Sequence, residues 1–250
     1  MRAFELPNAG ALVHLNNVSG GVLAGDKLLL DVELKPGAAA QLTTTGATRL
    51  YRHRAGSEDS EQHTNFTVGD NAMLEYLPDA VIPFANSRHR QRTEIHLGTG
   101  ATLFWWEMLA PGRQASGERF AFERLSVKSE VYAVQRPIMR EDYVLEPQRR
   151  NPVAMARMHR YTHTASLCAA QQGRPPAFWR ELENTLNEIA KQHTSPGDTV
   201  WGASMLASDG IVVRGLSTSS CYVHKTLVEF WKAARVAITG VESVPPRKIY

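Results

Sequence analysis

Three segments of this sequence share one pattern: an apolar strand end, a tight turn, an alanine and a second apolar strand. The segments are residues 34–42, 68–76 and 97–105, and they recur at intervals of roughly thirty residues. Repeats near this length indicate β coils stacked on one another, or successive hairpins. A β-sandwich produces much the same pattern. We therefore predict a mainly β chain with either a stacked, β-helical core or a sandwich-like one.

A glycine-rich turn precedes the first repeat and ends on a carboxylate. It contains Gly20, Gly21 and Gly25 and leads to Asp26. The following residues 27–34 alternate between apolar and polar side chains, which is typical of a half-buried strand. Glycine permits positive φ and close backbone approach. Two interpretations of Asp26 remain open, since it either caps its own turn or offers its oxygens to a ligand.

The composition changes after residue 147, so we divide the chain into a β-rich core, residues 1–147, and a mixed α/β portion, residues 148–250. We expect both to pack on one core as a single functional domain. Two helices are predicted in the second portion, each from an apolar stripe of helical period. The first stripe is Phe178, Leu182, Leu186 and Ile189; the second is Val223, Leu227, Phe230, Trp231, Ala234 and Ile238.

Composition excludes several classes of protein. The 250 residues carry a net charge of only +3, so nucleic-acid binding is not predicted. The two cysteines form no CxxC motif, which favours a reducing compartment. The N-terminal residues show no apolar signal region, and no apolar run approaches the roughly 20 residues that span a bilayer. We therefore expect a cytoplasmic protein that does not bind membranes.

The motifs of common enzymes are not found in the sequence. It shows no nucleophile elbow, no P-loop, no dinucleotide fingerprint and no recurring pair of carboxylates. What remains are single carboxylates beside glycine turns or in strands, namely Asp26, Glu75, Glu107 and Glu118. For Glu107 and Glu118 we favour an ion-pairing or capping role, with Arg113 as a candidate partner. We predict that the chain is not an enzyme.

Several short motifs, in order across nearly the whole chain, resemble the urease accessory protein family UreD, also called UreH. They include residues 20–26, 42–48, 74–78, 106–107, 112–113 and 117–120. Each motif is weak alone, and their order makes the resemblance specific. The motif residues are Gly20, Gly21, Gly25, Thr43, Thr44, Gly46, Pro78, Glu107, Gly112, Arg113, Gly117 and Glu118. The resemblance implies a β-helical fold with a few helices.

The resemblance also implies a function. A UreD protein is expected to be a non-catalytic scaffold in urease maturation that binds urease apoprotein and the accessory protein UreF. UreF recruits the GTPase UreG, and a dimer of such heterocomplexes is expected. Nickel would pass transiently through a tunnel, with no permanently bound cofactor. Oxygen ligands bind Ni²⁺ without the tight hold of thiolates, so we predict Asp26 and Glu75 as contacts on that passage.

Two other functions remain open at this point. A carbohydrate-active enzyme on a β-helical scaffold would show a cleft with clustered acids and aromatic residues. A β-rich interaction module would have no role in metal transfer. The family usually carries a longer segment before the glycine motif, so we also expect one strand of the β core to lack a neighbour.

Overall fold

A computed structural model describes residues 2–5 and 10–246. Its β core is a stack of coils, and each repeat of the sequence supplies one coil. A coil places one strand in a five-stranded sheet, the short sheet, and the next strand in a ten-stranded sheet, the long sheet. Leu34, Val68 and Leu97 lie in register, and the Gly69 amide donates to the Leu34 carbonyl at 2.9 Å. The stacked arrangement is therefore confirmed.

The short sheet has the order β12-β11-β9-β6-β3. Its strands are β3 (Lys27–Leu34), β6 (Ser60–Val68), β9 (Arg88–Leu97), β11 (Arg124–Ala133) and β12 (Arg136–Leu145). The first four run parallel and β12 turns back antiparallel. Parallel neighbours with aligned turns are what a coil repeat requires.

The long sheet has the order β1-β2-β4-β7-β10-β13-β15-β14, with β5 paired to β8 and β8 to β10. The strands from the first half are β1 (Arg2–Glu5), β2 (Ala11–Leu15), β4 (Ala39–Thr44), β5 (Thr48–Leu50), β7 (Met73–Tyr76), β8 (Val81–Pro83) and β10 (Thr102–Leu109). The strands from the second half are β13 (His163–Gln171), β14 (Thr199–Met205) and β15 (Gly210–Ser217). The division at residue 147 stays a prediction, and strands from both sides of it lie in this sheet.

Two helices cover the outer face of the long sheet, as predicted. The first, α1 (Pro176–His193), buries Trp179, Leu182, Leu186 and Ala190. The second, α2 (Ser220–Thr239), begins after Ser219 and ends at Gly240, whose φ of 70° is the left-handed conformation that glycine supplies at a helix end. Its predicted stripe is buried, and Trp231 is 0 % exposed. No helix among the described residues is long and apolar enough to cross a membrane.

The protein therefore has three layers, in the order helices, long sheet and short sheet. Strand β10 lies in the middle layer and is covered on both faces, which explains why it is apolar. Trp105 belongs to the apolar cluster between the two sheets, whereas Trp106 belongs to the cluster under the helices. Both indoles are buried, at 2 % and 1 % exposure. A strand covered on both faces reads as a continuous apolar run. In β10 the odd-numbered Leu103 and Trp105 point between the two sheets, and the even-numbered Phe104 and Trp106 point towards the helices.

Candidate functional site

The glycine motif before β3 forms a turn that its own carboxylate closes. The Leu23 amide donates to Asp26 Oδ2 at 2.8 Å. Gly21 has no room for a side chain, because an added Cβ would lie 2.4 Å from the Tyr51 ring and 2.6 Å from the Arg49 carbonyl oxygen. The capping interpretation of Asp26 is confirmed. Its contact with nickel stays a prediction.

The threonine motif at the end of β4 holds the segment that links β7 to β8. Thr43 Oγ1 donates to the Leu77 carbonyl at 2.7 Å, and Thr44 Oγ1 accepts from the Asp79 amide at 2.8 Å. On the other side of this segment, Trp106 Nε1 donates to the Pro78 carbonyl at 2.8 Å. Hydrogen bonds between these side chains and backbone groups of the segment thus bring the motif residues together. Gly46 follows them in the adjoining loop.

The motif after β10 is also a structural unit. Arg113 Nε donates to Glu118 Oε2 at 3.0 Å, and this oxygen also accepts from the Ala85 amide. The ion pair lowers the pKa of Glu118 and raises that of Arg113. Gly112, with φ of 136°, and Gly117, with φ of 78°, shape the loop. The predicted pairing of Arg113 with Glu118 is confirmed.

Glu75, on β7, points towards the helices and is surrounded by donors. Arg235 Nε and Gln41 Nε2 each lie 2.7 Å from its carboxylate, and Trp231 Nε1 lies 3.3 Å away. Glu75 is 2 % exposed and Arg235 6 %. Arg235 also donates to the carbonyls of Val241 and Glu242. The carboxylate therefore anchors α2 and the following segment to the long sheet, and its predicted contact with nickel stays untested.

Glu107, on the neighbouring strand β10, points to the opposite face of the sheet. Gln91 Nε2 donates to it at 2.8 Å and Ser129 Oγ at 3.4 Å, both from the short sheet. No cation pairs with it among the described residues. Burial, and next the field of Glu141, raise the pKa of Glu107 to about 8. A carboxylate in such a place favours a proton or a metal ion as its counterion.

Glu107 borders a large cleft where the two sheets separate. The cleft has a volume of about 920 Å³ and is mostly lined by apolar residues, among them Val127 and Trp201. Its polar wall includes Gln91, Glu107, Asp142, which lies 3.8 Å from Arg140, and an ion pair in which Arg214 Nε lies 2.9 Å from Glu141 Oε1. Glu107 is thus the one acidic group of this wall that an arginine does not neutralise.

A polar band continues from Glu107 along the inner face of the short sheet. It comprises Ser60, Gln62 and Thr64 on β6, His89, Gln91 and Thr93 on β9, Ser129 on β11, and Glu107 itself. The members on β6 and β9 are register neighbours, rung by rung. Apolar clusters lie on either side, one around Trp105 and one around Phe122. A polar strip through a core of this kind is unusual, because buried polar groups are costly unless paired.

The polar band contains atoms that have no protein partner. Thr64 Oγ1 and His89 Nε2 are buried and make no hydrogen bond within the protein. Burial lowers the pKa of His89 to about 4, so its imidazole is neutral at physiological pH. Buried orphan groups in native proteins are satisfied by water or ions. Thr64 Oγ1 and His89 Nε2 therefore have hydrogen-bonding capacity that the protein does not use.

A second cavity lies at the other end of the coil stack, against β3. It has a volume of about 470 Å³ and is lined by Gly20, Gly21, Thr44, Gly46 and further residues including Gln62 and Tyr76. Gln62 lines this cavity and its register neighbour Gln91 lines the cleft. Burial, and next the field of Glu107, raise the pKa of Tyr76. The polar band thus extends from one cavity to the other.

Sequence reasoning missed the polar band, although a signal was present. Val68 and Leu97 are the last residues before the turns of their repeats. Gln62 and Gln91 lie six residues before them, and Thr64 and Thr93 lie four residues before them. Identical polar residues at one repeat position, in an otherwise apolar row, indicate an inward polar ladder. The described residues contain no group of three or more His, Cys, Asp or Glu that could hold a metal ion.

The stacked two-sheet coils with their covering helices define a β-solenoid protein. The family model described as "UreD urease accessory protein" matches residues 1–249. The UreD protein of Herpetosiphon aurantiacus is 41 % identical over 253 aligned residues, covering 100 % of this chain and 87 % of its own length. UreD 2 of Brucella abortus is 30 % identical, covering 91 % and 74 %. UreD of Staphylococcus aureus is 26 % identical, covering 86 % and 75 %. This chain belongs to the UreD family of urease accessory proteins.

Proposed function

We propose that this chain is a non-catalytic urease maturation factor that works in the cytoplasm as a chaperone for nickel insertion. It binds urease apoprotein and UreF, and UreG joins through UreF in a dimer of heterocomplexes. Nickel is the cargo and is not held as a permanent cofactor. We further propose that the ion moves between the two sheets along the polar band, from the cavity beside β3 to the cleft. The observation that carries this proposal is Glu107, an inward carboxylate without a cation, in a polar strip that joins two cavities.

The chemistry of the polar band suits a dication in transit. Carboxylate and amide oxygens and a neutral imidazole all bind Ni²⁺, and without thiolates the ion is not retained. Glu107 and His89 are the two residues of the band with ordinary Ni²⁺ ligand groups. Glu107 would exchange its proton for the ion, and Gln91 and Ser129 orient its carboxylate meanwhile. Asp26 and Glu75 remain candidates, but Glu75 already has a full set of donors, so the geometry favours Glu107.

Substitution of Glu107 tests the passage. Glu107→Gln retains the size of the side chain and an oxygen that accepts from Gln91, and it removes the charge. We expect urease activation at limiting nickel, reconstituted with UreF and UreG, to fall by about tenfold, which corresponds to roughly 1.4 kcal/mol on the passage. Capture of UreF and of the apoprotein should be unchanged. Glu188→Gln, an equivalent change on the exposed surface of α1, is the matched control and should activate normally.

Three outcomes would contradict parts of this proposal. Normal activation by Glu107→Gln and by the double variant with His89→Gln would remove the polar band from the nickel path. Loss of UreF capture in the single variant would mean that Glu107 acts on assembly. Failure of the unchanged protein to bind either UreF or the apoprotein would overturn the scaffold function itself.

The cleft bears on one alternative function considered from the sequence, that of a carbohydrate-active enzyme. It brings acids and aromatic residues together, as a carbohydrate-active enzyme would require. Hydrolysis of a glycosidic bond needs two carboxyl groups that act as a pair. Here Arg214 holds Glu141, and Asp142 lies near Arg140 with 52 % of its side chain exposed. Glu107 therefore lacks a second acid, and we expect no glycosidase activity on chromogenic glycosides.

A further inference from the structure

The short sheet ends on an open strand edge. Strand β3 pairs with β6 on one side, and no described residue pairs with it on the other. The carbonyls of Asp26 and Leu34 accept from Glu61 and Gly69, so the even-numbered residues of β3 direct their backbone groups towards β6. In a sheet, the intervening residues direct theirs to the opposite side. The N–H and C=O groups of Lys27, Leu29, Asp31 and Glu33 therefore face outwards.

A slot lies beside this edge, because the two sheets end at different places. The long sheet continues past β4 with β2 and β1, whereas the short sheet stops at β3, opposite β4. The 470 Å³ cavity fills this step, and Leu28 and Leu30 form part of its wall. Two exposed apolar residues lie at its rim, Leu29 at 68 % and Val18 at 94 % exposure, and its lining also contains polar residues such as Thr44 and Gln62. The slot thus offers backbone partners along one side and a lining of mixed apolar and polar residues beneath.

The other edge of the short sheet is protected, and β3 is not. Strand β12 carries Pro137, which cannot donate to a further strand, and its pairing with β11 shifts register between Val131 and Tyr132. It also turns Glu141 inwards, where Arg214 holds it. Proline, a bulge and an inward charge are the devices by which proteins block strand addition. None of the three occurs in β3, although its outer face carries the charged residues Lys27, Asp31 and Glu33. The contrast indicates that β3 is the more open of the two edges.

We propose that the slot beside β3 binds one extended strand of a partner protein, with uncharged side chains at alternate positions. The strand would complete the ladder through the outward groups of β3, and its inward side chains would fill the cavity above Leu28 and Leu30. Strand addition of this kind draws affinity from main-chain hydrogen bonds and specificity from alternate side-chain pockets. The strand would occupy the cavity where the proposed nickel passage begins, so strand binding and nickel entry would exclude one another.

A second copy of this chain does not fit the slot. Two identical β3 strands can pair symmetrically only when antiparallel, about a twofold axis normal to the sheet. Both long sheets would then lie on the same side of the joined short sheets. Strands β1 and β2 of each copy would compete for the same space over the junction. A single strand avoids this collision, and a folded copy of the domain does not.

Amide hydrogen exchange measured by NMR on the isolated full chain tests the proposal. The probe is a nine-residue peptide with the sequence of β6, SEQHTNFTV, which already pairs with β3 on its inner side. At millimolar peptide we expect at least about fivefold slower exchange at the amides of Leu29, Asp31 and Glu33, as expected for a newly formed backbone hydrogen bond. The amides of Leu30 and Val32, which face β6, should not change.

Two variants of Leu29 separate strand addition from loose apolar contact. Leu29→Pro removes one outward N–H without touching the ladder to β6, and should abolish the peptide effect. Leu29→Thr removes the apolar side chain but retains the N–H, and should preserve it. The proposal is overturned if the peptide protects no outward amide, or if Leu29→Pro binds as well as Leu29→Thr. A different result would assign the edge to a second copy of the chain. In that case the outward amides would become protected without peptide as the protein concentration rises, and the measured mass would be that of a dimer.

Discussion

Glu75 and Glu107 lie on neighbouring strands of one sheet, and their surroundings are opposite. Glu75 faces the helices and receives hydrogen bonds from Arg235, Gln41 and Trp231. Glu107 faces the short sheet and receives them from the neutral groups of Gln91 and Ser129. The first carboxylate is part of a completed ion pair. The second has no cation beside it among the described residues, and burial raises its pKa to about 8. The comparison teaches that two acids on one sheet can differ in role, because the buried Glu75 is neutralised as an anchor and the half-buried Glu107 has no neutralising cation among the described residues.

The largest effect is expected from breaking the anchor. Arg235→Met leaves Glu75 as an unpaired buried charge, which typically costs about 3–5 kcal/mol. It also releases the carbonyls of Val241 and Glu242. We expect urea unfolding to show this loss, and Glu75→Gln added to Arg235→Met should recover a large part of it. An equally large loss in the double variant would mean that the segment after α2, rather than the ion pair, carries the stability.

An intermediate effect, with a distinctive pH dependence, is expected at Glu107. Its pKa is about 8 in the folded chain, above its ordinary value of 4.5. Between these values the folded chain binds more protons than the unfolded chain, so this group lowers stability as the pH rises through that window. Glu107→Gln has no carboxyl group to ionise, so it avoids this loss of stability at high pH. We expect its melting temperature to exceed that of the unchanged protein by at least about 2–4 °C near pH 9, which corresponds to roughly 1 kcal/mol, and to match it near pH 5.

The control for that measurement is Glu94→Gln on the outer face of β9. His96 and Arg92 lower the pKa of Glu94, so its removal should not stabilise the fold at high pH. A Glu107→Gln variant that gains nothing between about pH 5 and pH 9 would show that the carboxylate is solvated and easily ionised. In that case the contrast between the two acids would disappear.

Much of the architecture could be predicted from the sequence, because it depends on patterns among residues that are close together in the chain. The turn repeat predicts the coil stack, and the apolar stripes predict both helices. The environment of Glu75 could not be predicted, since Arg235 is 160 residues away in the chain. Nor could the direction of Glu107, because β10 is apolar on both faces and alternation gives no indication of which layer a residue enters. Long-range packing decides both.

The smallest effect is expected at Asp26, which extends the comparison to a half-buried carboxylate in a turn. Its oxygen accepts from the Leu23 amide and closes the glycine turn. Asp26→Ala should cost about 1 kcal/mol, the usual cost of a lost hydrogen bond of this kind, and Asp26→Asn, which retains an acceptor, should cost less. If Asp26 only caps the turn, urease activation at limiting nickel should follow stability, so Asn should activate almost normally. If its charge contacts nickel, Asn and Ala should fail alike despite their different stabilities. Parallel measurement of unfolding and activation in these two variants therefore distinguishes a turn cap from a metal contact.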